Sequence, residues 1–291
     1  MADKTQEEIQ ERVKKLLSKI QGLPTLPAML IKINQLLLNP RTSAKEVAQL
    51  ITSDPAIASK VLRVVNSSFY GFPNRITTVT HAIVILGFNT IKSIVLSSSI
   101  FDVFKKETKS AFDREAFWKH SVACGATAKV VANRVGEKAV EELFLAGLLH
   151  DIGKIVLDHF LHPAFLEILH DAQERNVMLC EAERKRFGFT HGEMGAWMFS
   201  QWNLSKSLID TVRCHHHPST TRKHRKMAAI VHLSDILVRA LGHGDGVDQF
   251  IPPLDEEAWE ELGLEVEDFD DLLEESAAEI ERASVFLDFA K

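Results

Sequence analysis

Cysteine is scarce in this 291-residue chain, tyrosine occurs once, and nowhere do apolar and polar positions alternate convincingly with period two. The three cysteines, Cys124, Cys180 and Cys214, are far apart and odd in number, which argues against a disulfide framework and against a thiolate zinc site. One tyrosine and a net charge of −6 provide neither a stacking platform nor a basic stripe, so nucleic acid is rejected as a primary partner. No apolar run nears the roughly 20 residues that span a bilayer, and the opening MADKTQEEIQERVKK lacks the apolar core of a signal peptide. A cytoplasmic protein without membrane attachment is expected. With no strand pattern, the expected fold class is all-α.

What is present is helical periodicity and histidine. Apolar content of 45% and charged content of 25% suit a globular chain, long enough for one large domain or two packed lobes. Charge is unevenly spread: Asp255 to Asp288 holds 15 acidic residues against one arginine, so the remainder is mildly basic. Residues 5–20 show helical spacing, Gly22, Pro24 and Pro27 make a turn, and Ala28 to Leu38 is helical again. Ser43 or Thr42 caps the next helix, and Asp54 with Pro55 opens one that runs through Val65. A further helix starts near Thr80, breaks around Gly87 to Thr90 and resumes to Val103. These elements form a helical lobe over 1–104 with no catalytic constellation; Asp54 and Asn66 are read as cap and turn residues.

A second lobe is expected over 105–245, followed by an acidic helical extension over 246–291. Its centre is Leu143 to Asp158, LFLAGLLHDIGKIVLD, an apolar run interrupted by His150 and Asp151. Burying an imidazole and a carboxylate among Leu148, Leu149, Ile152 and Ile155 costs several kcal/mol unless both are paired or hold a cation. Thr190 and Glu193 have capping-box spacing, which places His191 in a first helical turn. His120, His191, the pair His215 and His216, and Asp235 stand on or at the ends of other apolar helices. His217 is the odd member of its triplet, and His159, His162, His170, His224, His232 and His243 are left as surface or packing residues.

HDIGK, His150 to Lys154, resembles the signature of the HD superfamily of metal-dependent phosphohydrolases. LPTLP (Leu23 to Pro27), ITSDPAIASKVLRVVNSSFYG (Ile51 to Gly71) and AIVILGFNTIKSIVL (Ala82 to Leu96) narrow the resemblance to the HDOD family of bacterial signalling domains, over roughly residues 15–245. The resemblance implies a two-lobed all-α protein with two divalent metal ions. The first would take His120, His150, Asp151 and Asp235, and the second His191, His215 and His216, with Asp151 bridging. Five imidazoles and two carboxylates suit iron or manganese, with nickel, cobalt or zinc as substitutes. A carboxylate bridge holds such ions about 3.5 to 4 Å apart, where a shared water is activated for attack on phosphorus. Lys154, one turn past Asp151, is placed to stabilise developing phosphate charge.

Two departures qualify the family comparison. The relatives that open cyclic di-GMP have a glycine-tyrosine-proline motif after the paired histidines, whereas here HPSTTRKHRK follows His216, which weakens a guanine-dinucleotide substrate. A third-metal glutamate would fall at Ala116, so two ions are the ceiling. Two functions stay open. One is a metal-dependent phosphohydrolase or phosphodiesterase acting on a phosphorylated nucleotide, with Arg213, Arg222, Lys223, Arg225 and Lys226 as either phosphate attractors or a solvated loop. The other is a signalling adaptor that binds protein partners, its metal centre structural or a sensor of oxygen or redox state.

Overall fold

The computed structural model describes residues 28–37, 39, 41–104, 110–243, 247–248 and 250–289. The expected helix over 5–20, the turn at 22–27 and most of the linker at 105–110 lie outside them. The described residues form helices and connecting turns without a strand, so the fold is all-α as the periodicity implied. They fall into two compact units, 28–104 with 278–289, and 110–277.

In the first unit, α1 is Ala28–Leu37, α2 Ala44–Thr52, α3 Pro55–Val65 and α4 Val79–Phe104. Ser43 and Glu46 close a capping box on α2, and the Asp54 carboxylate accepts the Ala56 and Ile57 N–H groups at the start of α3. Asn66 ends α3 and pins the following loop: its amide donates to Leu62 O and Ile76 O and accepts from Ile76 N. The core is aliphatic, with Val61, Val64 and Val65 inaccessible. A closing 3₁₀ helix, Ser284–Phe289, adds Phe286 against Phe69 and Phe289 against Phe101.

One expectation is corrected here. Helix α4 has 26 residues and is long and apolar enough, by length and composition, to cross a membrane. Gly87, Asn89 and Thr90 disguise that run in the sequence. Its backbone leaves helical geometry at Gly87 (φ 82°, ψ 168°), and it packs on α2 and α3 with half of its most apolar stretch buried. That is the behaviour of a core helix.

The second unit contains α5 (Arg114–Arg134), α6 (Val140–Leu149), α7 (Ile152–Arg175), α8 (Leu179–Phe187), α9 (His191–Gln201), α10 (Lys206–Cys214), α11 (Arg225–Ala240) and α12 (Glu256–Leu262). Helix α13 (Asp268–Ala283) begins in this unit, and its last residues count with the first. Helix α5 is the central rod, buried from Phe117 to Ala132 on most sides and packed on α6 and α11. Its approach to α6 depends on glycine, because a Cβ on Gly147 would sit 2.6 Å from Cys124 O and one on Gly125 would sit 2.8 Å from Phe144 O.

The acidic segment does not stand as a unit of its own. Arg134 pairs with Asp268, Asp271 and Glu275, and Asp255 accepts the Ser219 N–H, which tie its first part to the second unit. Phe286 and Phe289 belong to the core of the first.

Candidate metal centre

The long apolar run of the sequence is two helices meeting end to end. Helix α6 stops at Leu149, His150 is its C-cap, and Asp151 occupies the N-cap position of α7. Asp151 makes no capping hydrogen bond, so its carboxylate is not used as an ordinary helix cap. Both oxygens face other groups. Oδ1 lies 3.1 Å from His191 Nε2 and 3.7 Å from His215 Nε2, while Oδ2 lies 3.3 Å from His150 Nε2, 3.9 Å from His120 Nε2 and 2.7 Å from Lys154 Nζ.

The surrounding elements deliver the remaining side chains. Thr190 caps α9 in the expected box with Glu193 and sets His191 as its first residue. Helix α9 comes close enough to α7 that a Cβ on Gly153 would collide with the His191 carbonyl oxygen. Helix α10 ends at Cys214 and presents His215 and His216, and Asp235 stands midway along α11. His216 Nε2 is 2.9 Å from His191 Nε2, and His120 Nε2 is 3.1 Å from Asp235 Oδ1.

All seven ligand candidates therefore converge, in two groups whose donor atoms lie within 4.8 Å of one another. Asp151, His191, His215 and His216 form one, and His120, His150 and Asp235 form the other together with Cys124. Cys124 is the departure from the sequence reading, which set all three cysteines aside on their separation. Its Sγ is 3.5 Å from His120 Nε2 and 4.0 Å from Asp235 Oδ1. The i, i+4 spacing from His120 is the signal that could have revealed it.

The donor chemistry fits a cation. His150 Nδ1 bonds Gly147 O and His215 Nδ1 bonds Val212 O, each at 2.7 Å, so in the neutral ring the proton sits on Nδ1 and Nε2 carries a lone pair. Those two Nε2 atoms are buried without a hydrogen-bond partner and face the Asp151 carboxylate, a contact between electron-rich atoms that a positive ion would relieve. His191 is held by Glu183, whose Oε2 accepts both its backbone N–H and its Nδ1 at 2.7 and 2.8 Å. Arg239 donates to Asp235 Oδ1 at 2.7 Å. Arg239 follows Asp235 by one turn and was legible as an i, i+4 pair; Glu183, eight residues before His191 on another helix, had no local signal.

Electrostatics follow from the burial. The side chains of His120, His150, Asp151, Lys154 and His191 are 0% exposed, and among the ligand candidates only His216 is partly exposed. Burial works against the Asp151 carboxylate, but the charged and donating groups around it, the Lys154 ammonium among them, outweigh it and hold its pKa well below the ordinary value. Asp235 is likewise held well down against burial, chiefly by Arg239 and then His120. Burial lowers His120, and burial with the neighbouring imidazoles lowers His215 and His216 well below the usual range. For His191 burial is overcome by Glu183, and the pKa is raised to about 9. Burial and then Asp235 push the Cys124 thiol well up.

The other histidines lie outside both groups. His232 is buried and bridges His215 O and the Asp255 N–H, a packing role, while His162 pairs with Asp158 and His224 with Asp210. Of the basic residues near the second histidine pair, Arg213 pairs with Asp210, Arg225 with Glu257, and Lys226 donates to Val135 O; Arg222 and Lys223 are exposed.

Comparison with known proteins gives the family. The HDOD domain profile matches residues 23–218, and the chain belongs to the HDOD-domain family. Asp235 and Arg239 lie beyond the matched residues. An uncharacterised protein of Treponema pallidum (strain Nichols) is 25% identical over 240 residues, which are 80% of this chain and 46% of that protein; the chain thus spans about half the length of the curated relative it matches. Among solved structures, an HDOD domain protein from Geobacter sulfurreducens superposes with a TM-score of 0.80 at 24% identity, covering 97% of this chain and 98% of that one. A protein of Shewanella amazonensis SB2B described as a candidate phosphohydrolase superposes with a TM-score of 0.74 at 22% identity, covering 95% and 98%.

Proposed function

We propose that this chain is a bacterial signal-transduction protein whose second unit holds two divalent metal ions, with Asp151 as the shared ligand. The carrying observation is that Asp151, although at a helix N-cap position, leaves the backbone uncapped and turns one oxygen to each of two separate buried ligand groups. His191, His215 and His216 with Asp151 suit iron or manganese, and nickel, cobalt or zinc would substitute. His120, His150 and Asp235 are the ligands on the other side. Ions in this place would supply water activation and charge stabilisation.

Burial favours a centre that senses or stabilises over one that turns over a bulky substrate. Asp151 and Lys154 are inaccessible, and the Lys154 ammonium is engaged with Asp151. A structural or redox- or oxygen-sensing centre with output to a protein partner needs no open cleft. A second reading, a metal-dependent phosphohydrolase on a nucleotide-type substrate, draws on the complete ligand set and on the partly exposed His216, a rim through which phosphate would approach. In that case Lys154 moves from Asp151 to the phosphate.

The test is elemental analysis of protein purified without added metal, with the same sample assayed on phosphodiester and nucleotide substrates. Near two ions per chain, lost in Asp151→Ala while helical content is retained, supports the centre. Unchanged metal content in that variant refutes it. Turnover abolished by Asp151→Ala selects the hydrolase, and two ions without turnover select the sensing or structural centre.

A further inference from the structure

We infer that Cys124 is a thiolate ligand of the first metal position, so the two positions of the centre are chemically unequal. The inference rests on the metal reading above and extends it to a residue that the sequence pattern left out. In the fold, Cys124 follows His120 by one helical turn on α5, and both point at the ground shared by His150 and Asp235. Its backbone is brought there by the glycine contacts: Gly147 of α6 lies against the Cys124 carbonyl, three residues before His150.

The distances match common coordination. With metal–sulfur and metal–nitrogen bonds of about 2.3 and 2.1 Å, a tetrahedral angle separates the two donors by about 3.6 Å. Cys124 Sγ and His120 Nε2 are 3.5 Å apart. The 4.0 Å from Sγ to Asp235 Oδ1 and the 3.1 Å from His120 Nε2 to that same oxygen correspond to wider and narrower angles around one ion. His150 Nε2, buried without a hydrogen-bond partner, is the fourth donor of the group and points to a ligand independently of the cysteine, and the shared Asp151 Oδ2 would add a fifth.

Charge balance gives the sulfur a reason to ionise. Asp235 shares its charge with Arg239, and Asp151 Oδ2 shares its charge with Lys154, so each carboxylate near the first position is already partly neutralised by a buried cation. Among the groups that pair with the ligand candidates, the buried anions are Asp151, Asp235 and Glu183 and the buried cations are Lys154 and Arg239; Asp158, Asp248 and Glu279 are buried too, on other partners. Two divalent ions added to that shell leave a large positive excess in a low-dielectric interior, and a Cys124 thiolate reduces it. A coordinating thiol is deprotonated outright by the ion it binds. The second group has three imidazoles and a carboxylate with no sulfur. The first position therefore prefers a thiophilic ion such as zinc, cobalt or ferrous iron, and the second accepts manganese or iron.

The metal-stripped 291-residue protein is titrated with cobalt(II) and followed by absorption. Coordinated thiolate gives a sulfur-to-cobalt charge-transfer band in the near ultraviolet, separate from the visible bands that any bound cobalt shows. The wild type and a Cys180→Ser, Cys214→Ser double variant, in which Cys124 is the one cysteine left, are expected to show it, and Cys124→Ser to lose it while keeping visible bands. If Cys124→Ser does not fold, the band in the double variant alone establishes the ligand. Visible bands without charge transfer in the wild type, or a charge-transfer band that survives Cys124→Ser, overturn the inference and leave the two-metal reading standing. No cobalt uptake by the wild type overturns both.

Discussion

At the scale of single residues, the chain uses polar side chains at helix starts in two ways. Asp54, Ser43 and Thr190 sit at N-caps and satisfy backbone N–H groups. Asp151 sits at an N-cap and does not; its oxygens face the imidazoles and Lys154 instead. Asp255 is of the first kind: it accepts the Ala258 N–H at the start of α12 and the Ser219 N–H, and these bonds outweigh burial and hold its carboxyl below the ordinary value. Folding thus favours the anion. Its contribution is complete above the unfolded value of about 4 and is lost as pH falls through the lower folded value. Asp255→Asn keeps a capping side chain but removes the titration, so the drop in denaturant midpoint between neutral pH and about pH 3 is expected to be smaller than in wild type. Asp255→Ala is expected to lose about 1 kcal/mol at neutral pH. An unchanged pH slope in Asp255→Asn would remove Asp255 from the acid response.

At the scale of elements, the site is made by close helix approaches that small residues permit. Gly153 admits the His191 carbonyl against α7, and Gly147 and Gly125 let α5 and α6 pack backbone to backbone. Gly153→Ala cannot be accommodated without moving α9, because the obstructing atom is backbone. Overpacking of this kind costs about 1 to 3 kcal/mol, and the displaced helix carries His191 away from Asp151. Loss of bound metal together with a lowered melting temperature is the expected result, read by elemental analysis and calorimetry. Retention of both would show that α7 and α9 tolerate separation.

The elements themselves were largely readable. The capping box at Thr190, the Asp54 and Pro55 start of α3 and the break at Gly87 are local signals, and each appears where the spacing put it. The His150 and Asp151 joint is sharper than the apolar pattern suggested, since an uninterrupted run of Leu and Ile on both sides hides the end of one helix and the start of the next. The span-length apolar character of α4 was hidden for the opposite reason: polar residues within the run obscure an average that its many aliphatic side chains still dominate.

For the whole molecule, the two units differ in what metal can do to them. Both candidate ligand groups belong to 110–277, and no such group occurs among the described residues of 28–104. Binding stabilises only what it touches, by about 2.7 kcal/mol when free ion stands a hundredfold above its dissociation constant. Chelation is therefore expected to lower hydrogen-exchange protection across α5 to α11 while leaving α2 to α4 unchanged. Equal loss in both regions would contradict a centre confined to one unit.

The sequence alone was enough for the helical class and the caps, which rest on period and turn chemistry; burial cost singled out His150 and Asp151, and the resemblance supplied the full set of seven and its division around Asp151. Tertiary structure alone decided that Glu183 holds His191 and that Cys124 joins His120, His150 and Asp235. It also decided that Lys154 rests buried on Asp151. The physical reason is common to all of these. Burial and the meeting of separate helices are set by packing and by glycine-permitted approach, which no local spacing encodes; pairs within reach along the chain, such as Asp235 with Arg239 and Asp151 with Lys154, carry an i, i+4 or i, i+3 signal.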